Sequence, residues 1–538
     1  MGKDNSQKSD KDKDSDDGQS DDEDIIDSGG DANGENNNGQ NGKPPEAKEQ
    51  IAIFFPALRY VGIVLIVLSF LSFSSLLVCF IFDEWFAAYP FILTGIGSGL
   101  IGSVLARIGR KLEQPSLFQI FWMGAFAWLV ISIAGSFPFY FIGINMADDI
   151  HLKDAAGVYG QYINALFESV SGFTGTGLTL VSGQEDKLPA TLQWWRTISQ
   201  WVGGLGFISL VLMYIQPSYR SHLALESELD DQDLHSNPKV MAQHLWMIYA
   251  VLTFLSIGLL ACLDLSLWQA INYGITGIST GGFGITPNSM GDFSRLAQWI
   301  MMVIIITGAI NFAVYDKVYH RAFSALKEDR QLIWYLSGLP VLLSLIILAN
   351  FLSGQQSIDF TDLVFQGISA AASAGFSTQS TADWPTSILL LLMLAMVVGG
   401  CKGSTAGGMK ISRLRYLARL IFHFIRQTRN RPDVLFTFHG DKIKARFTRE
   451  TYQAITLAFL WFMTGVIGIF LLSFSLNAEL SKITFEVYSA LGCVGLSNGL
   501  TNPDMDTGGK LVLMALMWLG RLEIIPIFAF VLAPFYRG

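Results

Sequence analysis

The chain has 538 residues; 51% are hydrophobic, 13% aromatic and only 15% charged. Soluble domains carry about 25% charged residues, so this composition excludes a soluble globule and indicates a chain that crosses a membrane repeatedly. The formal net charge of −9 lies wholly in residues 1–50, where 15 acidic side chains face 6 lysines, and the remainder carries 30 charges of each sign.

In chain order, residues 1–50 read as a disordered acidic cytoplasmic tail, because "KSDKDKDSDDGQSDDEDIIDSGGDANGENNNGQNG" has almost nothing apolar to bury. It holds no apolar run, so no signal peptide is expected. "MGKDNS" fits a myristoylation pattern short enough to arise by chance. An apolar run of about 20 residues spans a bilayer. Ten such runs follow, at 58–82, 86–106, 117–143, 190–214, 243–263, 294–315, 332–353, 385–399, 452–475 and 510–535. They divide the chain into two extra transmembrane helices over 51–114 and four repeats over 115–217, 240–318, 331–430 and 450–538. Cys79, Cys262, Cys401 and Cys493 are scattered through apolar segments with neither metal nor disulfide spacing.

Between the members of each later pair of spans lies a shorter segment that turns small and polar. These are "QYINALFESVSGFTGTGLTL", "LWQAINYGITGISTGGFGIT", "FTDLVFQGISAAASAGFSTQ" and "TFEVYSALGCVGLSNGLT". Each opens with about ten helix-compatible residues, too few to span. Positive charge tests the topology. Arg107, Arg110 and Lys111 follow span two, Lys317, Arg321, Lys327 and Arg330 follow span six, and Lys410 through Arg431 follow span eight. Lys442 through Arg449 precede span nine, and "DEWFAAYP" after span one has no Lys or Arg. Both termini are therefore expected inside and the glycine segments outside. The expected fold is an all-α membrane protein: four pseudo-symmetric repeats of helix, pore helix and helix around a central pore, preceded by the two extra helices.

Irregular backbone at membrane depth is tolerated only where it lines water or is buried in protein. Four such turns in register suggest a ring, and a ring of backbone carbonyls replaces the hydration shell of a cation. Glycine allows the backbone to aim its carbonyls this way. Each short helix would also direct its negative C-terminal end to the membrane centre.

Span eight is interrupted by "VVGGCKGSTAGGMK", residues 397–410. Its glycines make a mobile loop below the third turn, and Ser404 and Thr405 can bond the freed backbone groups. Lys402 within it has two readings: repulsion of cations in the cavity, or snorkelling and pairing with an acid. The Walker-like "GSTAGGMK" has Met409 where lysine is required and follows no soluble strand. Arg521 is expected a dozen residues into span ten, where a charge costs at least ~2.5 kcal/mol and must face a partner or a cavity. Glu523 cannot pair with it on a helix, since i,i+2 positions do not face each other. Glu168 and Glu486, on the short helices, are expected to anchor the turns.

"SGFTGTGLTL" with "LPATLQWWRTISQWVGGLGFISL", "ISTGGFGIT", "SAGFSTQSTADWP" with "GGCKGSTAGGMK", and "FEVYSALGCVGLSNGLT" with "MWLGRLEIIPIFAFVLAPF" resemble the four pore repeats of the TrkH/KtrB family of potassium transporters. The likeness covers about residues 55–538. The two leading spans look more like the TrkH branch, and "VGLSNG" more like the KtrB branch. The resemblance implies potassium sites formed by carbonyls of Gly175, Thr176 and Gly177, of Thr280, Gly281 and Gly282, of Ser373, Ala374 and Gly375, and of Cys493, Val494 and Gly495. Gly177, where related plant transporters with sodium selectivity have serine, favours potassium. The filters depart from the commoner threonine-rich pattern at Gly175, Ala372, Ala374 and Cys493.

By the same resemblance, residues 399–409 form an intramembrane gating loop. Its residues Gly399, Gly400, Lys402, Gly403, Ser404, Thr405, Gly407 and Gly408 make the gate together with Arg521. The resemblance also implies potassium uptake across the cell (inner) membrane, a homodimer with one pore per protomer, and a cytosolic nucleotide-binding regulatory ring of the TrkA/KtrA kind. The basic segment 410–449 and the loop "SYRSHLALESELDDQDLHSNPK" are its candidate docking surfaces. Neither enzymatic chemistry, an organic cofactor nor nucleic-acid binding is expected. Sodium- or proton-coupled symport, and a less selective sodium/potassium conductor of the same fold, are the rival readings.

Overall fold

The computed structural model describes residues 48–109, 117–145, 155–214, 238–321, 323–354, 358–429, 441–524 and 526–528. The expectations for residues 1–47 of the acidic tail, for residues 218–237 of the candidate docking loop and for residues 430–440 of the basic segment fall outside that set; residues 48–50, expected in the disordered tail, begin the first helix. Every regular element among the described residues is helical.

Helix α1 (Lys48–Phe82) and helix α2 (Ala88–Ile108) form a close antiparallel pair. The pair is close because small residues face each other: a Cβ on Gly62 would lie 2.6 Å from the Gly102 carbonyl, and one on Gly102 would lie 2.7 Å from that of Gly62. Ser69 Oγ donates to Gly95 O at 2.6 Å and Ser72 Oγ to Phe91 O at 3.1 Å, so hydroxyls add bonds where lipid offers none. Glu84, in the turn between the two helices, accepts from the N–H groups of Ala190 (2.7 Å) and Thr191 (2.9 Å). It thereby caps the positive end of a helix about a hundred residues downstream.

The four repeats follow. The first contains α3 (Leu117–Gly135), α4 (Phe137–Asn145), the short α5 (Tyr162–Thr174) and α6 (Ala190–Tyr214). The second contains α7 (Pro238–Ala261), the short α8 (Leu267–Ile278), α9 (Arg295–Ala309) and α10 (Phe312–Tyr319). After α11 (Phe323–Glu328), the third has α12 (Arg330–Ser353), the short α13 (Phe360–Ala371), α14 (Thr386–Val398) and α15 (Ile411–Arg429). The fourth has α16 (Asp441–Ser475), the short α17 (Leu480–Leu491) and α18 (Thr507–Arg521).

Six helices among the described residues are long and apolar enough to cross a membrane: Ala57–Phe82, Trp85–Ile108, Gln119–Asn145, Ala242–Ala261, Arg330–Ser353 and Thr451–Ser475. Their outward faces carry exposed Phe70, Leu100, Phe254, Phe351 and Phe474, the surface expected against lipid. Spans six and ten, read as continuous in the sequence, are not, and span eight stops where its glycines predicted. Span six bends by 93° between α9 and α10. Span eight ends at Val398 after 13 residues. Span ten ends at Arg521 after 15 residues, and the chain turns through Leu522–Ile524 with positive φ at Glu523 and Ile524. Arg521 is thus the last residue of a helix, not a residue within one.

Candidate functional site

The four short helices have 13, 12, 12 and 12 residues, or about 18 Å at 1.5 Å per residue, well short of a ~30 Å bilayer core. All four end identically. The residue after each helix, or one beyond it, adopts the left-handed region: Gly175 (φ 67°), Thr280 (φ 49°), Ser373 (φ 51°) and Cys493 (φ 48°). The next N–H reaches back five residues: Thr176 to Ser171, Gly281 to Thr276, Ala374 to Ser369 and Val494 to Ser489, each at 2.9 Å. This is the Schellman closure of a helix C-terminus. It uses glycine in the first repeat only; threonine, serine and cysteine occupy the strained position in the others.

Glycine is obligatory at the next step. Gly177, Gly282, Gly375 and Gly495 have φ of 87°, 84°, 72° and 94°. A Cβ on Gly177 would lie 2.2 Å from Gly281 O, one on Gly282 2.6 Å from Ala374 O, one on Gly375 2.3 Å from Val494 O, and one on Gly495 2.3 Å from Thr176 O. Each glycine therefore leaves room for the backbone oxygen of the next repeat, and the fourth leads back to the first. The turns form one closed ring, with the negative ends of four helices behind it, each worth about half an elementary charge.

Buried polar groups hold the ring from outside. Arg196 Nε meets Glu168 Oε1 at 2.8 Å with both side chains almost fully buried. Glu168 also accepts from Thr179 Oγ1 (2.8 Å) and Leu180 N (3.3 Å), fixing the strand that leaves the first turn. Glu486 does the same in the fourth repeat, accepting from Asn498 N, Leu500 N, Thr501 and Ser497. Gln200 donates from Nε2 to Gly281 O and accepts from Phe283 N at 3.1 Å. Gln200 went unnoticed in the sequence, where it is one of several polar residues in the first half of its helix.

Beyond the ring lies a cavity of about 250 Å³ whose lining includes Gly177, Gly282, Gly375, Gly495, Glu185 and Arg196. Glu185 sits on a single turn of helix, Glu185–Lys187, that precedes α6. Burial pushes its carboxyl up to about 7, against the opposing pull of Arg196.

On the other side of the ring, the second helix of each repeat is weakened at one depth. The continuous helical part ends after 15, 13 and 15 residues in repeats two, three and four. The first repeat keeps its helix but places Gly203 and Gly204 there. The freed backbone groups satisfy one another. Cys401 N donates to Ala309 O (2.9 Å), Thr405 N to Gly308 O (3.3 Å), Phe312 N to Gly403 O (3.0 Å) and Gly408 N to Gly492 O (2.9 Å). Thr405 Oγ1 bonds Ile278 O (3.0 Å) and Gly308 O (2.9 Å), and Ser404 Oγ closes on Cys401 O (2.6 Å). The loop from Gly399 to Lys410 therefore lies under the ring, touching repeats two and four.

Arg521 joins the remaining pieces. Its guanidinium donates to Thr405 O at 3.0 Å and to the carbonyls of Gly203 and Gly204. Its Nη1 is the nearest atom, at 3.7 Å, to a Cβ built on Gly175. Residues of α18, the loop and α6 thus meet directly beneath the first turn. Glu523 pairs with Arg413 on α15, and the charges of Lys410 and Lys402 also act on it. Of the two readings of Lys402, the one that needs an acid within reach has Glu523. Lys402 is buried, and its backbone exchanges two hydrogen bonds with Gln331. The break after Ala309 was missed in the sequence; its signal is Asn311, whose side chain caps α10 from a "GAIN" stretch inside an apolar run.

A sequence profile of the TrkH family, described as a cation transport protein, matches residues 144–353 and 349–534. An uncharacterized cation transporter of Methanocaldococcus jannaschii is 28% identical over 445 residues, covering 81% of this chain and 87% of that one. The Trk system potassium uptake protein TrkH of Vibrio parahaemolyticus is 27% identical over 514 residues, covering 90% of this chain and 100% of that one. The protein of the same name from Escherichia coli is 27% identical over 510 residues, covering 89% and 98%. The crystal structure of the potassium transporter TrkH from Vibrio parahaemolyticus matches with a TM-score of 0.75 at 25% identity, over 88% of this chain and 98% of that one.

Proposed function

Because this chain belongs to the TrkH family of cation transport proteins, we propose that it carries potassium into the cell through a pore on the axis of its four turns. The observation that carries the reading is the closed ring, in which each turn glycine faces a backbone oxygen of the next repeat. An alkali ion sheds water there because carbonyl oxygens and four negative helix ends replace its hydration shell. The filter consists of Gly175–Gly177, Thr280–Gly282, Ser373–Gly375 and Cys493–Gly495. Below it, the loop Gly399–Lys410 obstructs the path and Arg521 pins the loop to α6, so the described arrangement is closed.

Arg521 contributes twice. Its donors hold Thr405, Gly203 and Gly204 together, and its fixed positive charge beneath the first turn raises the energy of a cation at that level. The distribution of Lys and Arg supports both termini on the cytoplasmic side of the inner membrane. The likeness to Trk system proteins supports a homodimer and a cytosolic nucleotide-binding ring that acts on α15. Potassium is cargo, and the chain is not an enzyme.

The test is rubidium and potassium uptake in potassium-starved cells lacking their own systems, with and without the regulatory ring, and with sodium as competitor. Saturable potassium uptake that sodium does not match supports the reading. Flux in a fixed ratio to sodium or protons would replace it with coupled symport, and no flux at all would overturn it.

A further inference from the structure

The cavity above the ring contains a charge that the pore architecture does not use. The Glu185 side chain lines it, yet the residue is only 7% exposed, and its Oε2 has no hydrogen-bond partner. Arg196 Nη2, also buried on the same cavity, is likewise without a partner. A buried carboxylate oxygen left unpaired is costly; a water in the cavity satisfies its hydrogen bond but not its charge, which takes a proton or a cation.

The local charges decide between them. Arg196 projects from α6, but its Nε is committed to Glu168 of α5, its Nη1 donates to Gly284 O at 3.0 Å, and its face stacks on Phe283 at 4.2 Å. One guanidinium thus faces two carboxylates, which leaves one negative charge over. Tyr159 and Tyr273 are the other titratable groups acting on Glu185 from neighbouring elements. The backbone amide dipoles of Gly183 and Glu185 favour the ionised carboxylate but carry no net charge. Asp186 and Lys187 on the same turn are exposed and oppose each other in sign. Among the described residues, no other buried cationic side chain is left to neutralise Glu185. The cavity that would admit a cation is floored by the four turn glycines.

We propose that Glu185 is an outer binding site for monovalent alkali cations, one that concentrates them above the filter and that external protons compete for. The proposal rests on the transport reading given above and adds to it a site and a regulation. As external pH falls through about 7 the carboxyl takes up a proton, the excess charge disappears and the cation loses its ligand. Focusing of counter-ions by a charged, walled mouth is worth tenfold or more; a single half-screened carboxylate should change the half-saturating cation concentration by roughly three- to tenfold. The maximal rate should stay constant, because filter and gate are untouched.

The experiment is rubidium uptake by cells carrying the full chain, at external pH 5.5 to 8, over a range of rubidium concentrations. The wild type should lose apparent affinity three- to tenfold toward pH 5.5 while keeping its maximal rate. Glu185→Gln should show the low-pH affinity at every pH. Glu185→Asp, which retains the charge, should retain a pH dependence, and it serves if the glutamine variant fails to reach the membrane. A Glu185→Gln variant with the wild-type pH profile would overturn the site while leaving transport intact, and so would a wild type whose affinity ignores pH. Absence of rubidium flux from the wild type sinks the transport reading, and this site with it.

Discussion

Gly177 offers the sharpest test of the ring. A Cβ at this position would lie 2.2 Å from Gly281 O and 3.3 Å from Gly282 Cα. Carbon–oxygen contacts need about 3.3 Å, so the neighbouring carbonyl must retreat by about 1 Å or the first turn must open. The positive φ adds ~1–2 kcal/mol of backbone strain for any L side chain. Displacing one of four oxygens that replace water around an ion changes the balance between sodium and potassium. If that change is ~1–2 kcal/mol, the permeability ratio moves about 5- to 30-fold. The assay is the sodium/potassium permeability ratio of purified protein in proteoliposomes. Gly177→Ala should act like Gly177→Ser, because the Cβ and not the hydroxyl makes the clash. Gly183→Ala is the control: its φ is also positive, at 81°, but a Cβ there meets nothing within 4 Å. It should lower stability without moving the ratio. Unchanged ratios in both folded Gly177 variants would refute the reasoning.

Two further substitutions probe what surrounds the ring. Arg521→Ala removes the donor to Thr405, Gly203 and Gly204 and should raise flux several-fold without any regulatory partner. Arg521→Lys should not restore closure, since an ammonium cannot reproduce the planar fork; uptake at or below the wild-type level for the alanine variant counts against the gate. Glu168→Gln removes the direct ion-pair partner of buried Arg196, a loss of up to about 3–5 kcal/mol that the more distant Glu185 charge offsets only in part, so the melting temperature in detergent should fall; a melting temperature unchanged from wild type would contradict the anchoring role.

The number of repeats, the length of the short helices and the residues of the turns were legible in the sequence because each rests on a local rule. A ten-residue apolar stretch that ends in small residues cannot span, and four of them in order imply symmetry. The ring's closure was not legible, because the contact of Gly495 with Thr176 joins residues over three hundred apart and no local pattern encodes it. Two other features escaped for opposite reasons. The left-handed residues Thr280, Ser373 and Cys493 break the rule that glycine or asparagine takes that position, since the Schellman bonds and surrounding packing outweigh local preference. The breaks after Ala309 and Arg521 lie in runs that stay apolar enough on average to read as spans, although Asn311 and the charges of Arg521 and Glu523 mark them. Hydropathy reports transfer to lipid, not whether the backbone stays hydrogen-bonded to itself.

On the proposed gating reading, those breaks let the loop hold a pore shut and yet release it. A continuous helix at this depth would keep every hydrogen bond internal, and moving it would gain nothing. Here, Cys401, Thr405 and Gly408 donate to carbonyls of other repeats, Thr405 O accepts from Arg521, and the Thr405 hydroxyl bonds Ile278 and Gly308. Such bonds contribute about 0.5–1.5 kcal/mol each, so releasing the loop costs on the order of 5 kcal/mol, with water in the cavity taking over the freed groups. A closed bias of ~5 kcal/mol leaves roughly one molecule in several thousand open, so the proposed partner acting on α15 must favour the open state by at least ~5 kcal/mol to open half of them. Helix α15 begins at Ile411, directly after the loop, and Arg413 on it pairs with Glu523 beside Arg521. Motion of α15 therefore reaches the loop and the arginine together. Amide hydrogen exchange should show the consequence: the N–H groups of Cys401, Thr405 and Gly408 should exchange orders of magnitude faster than those of α6 at residues 195–200, though all are buried. Equal protection of loop and helix would mean that the loop opens only with the whole fold, and a gate built on it could not work.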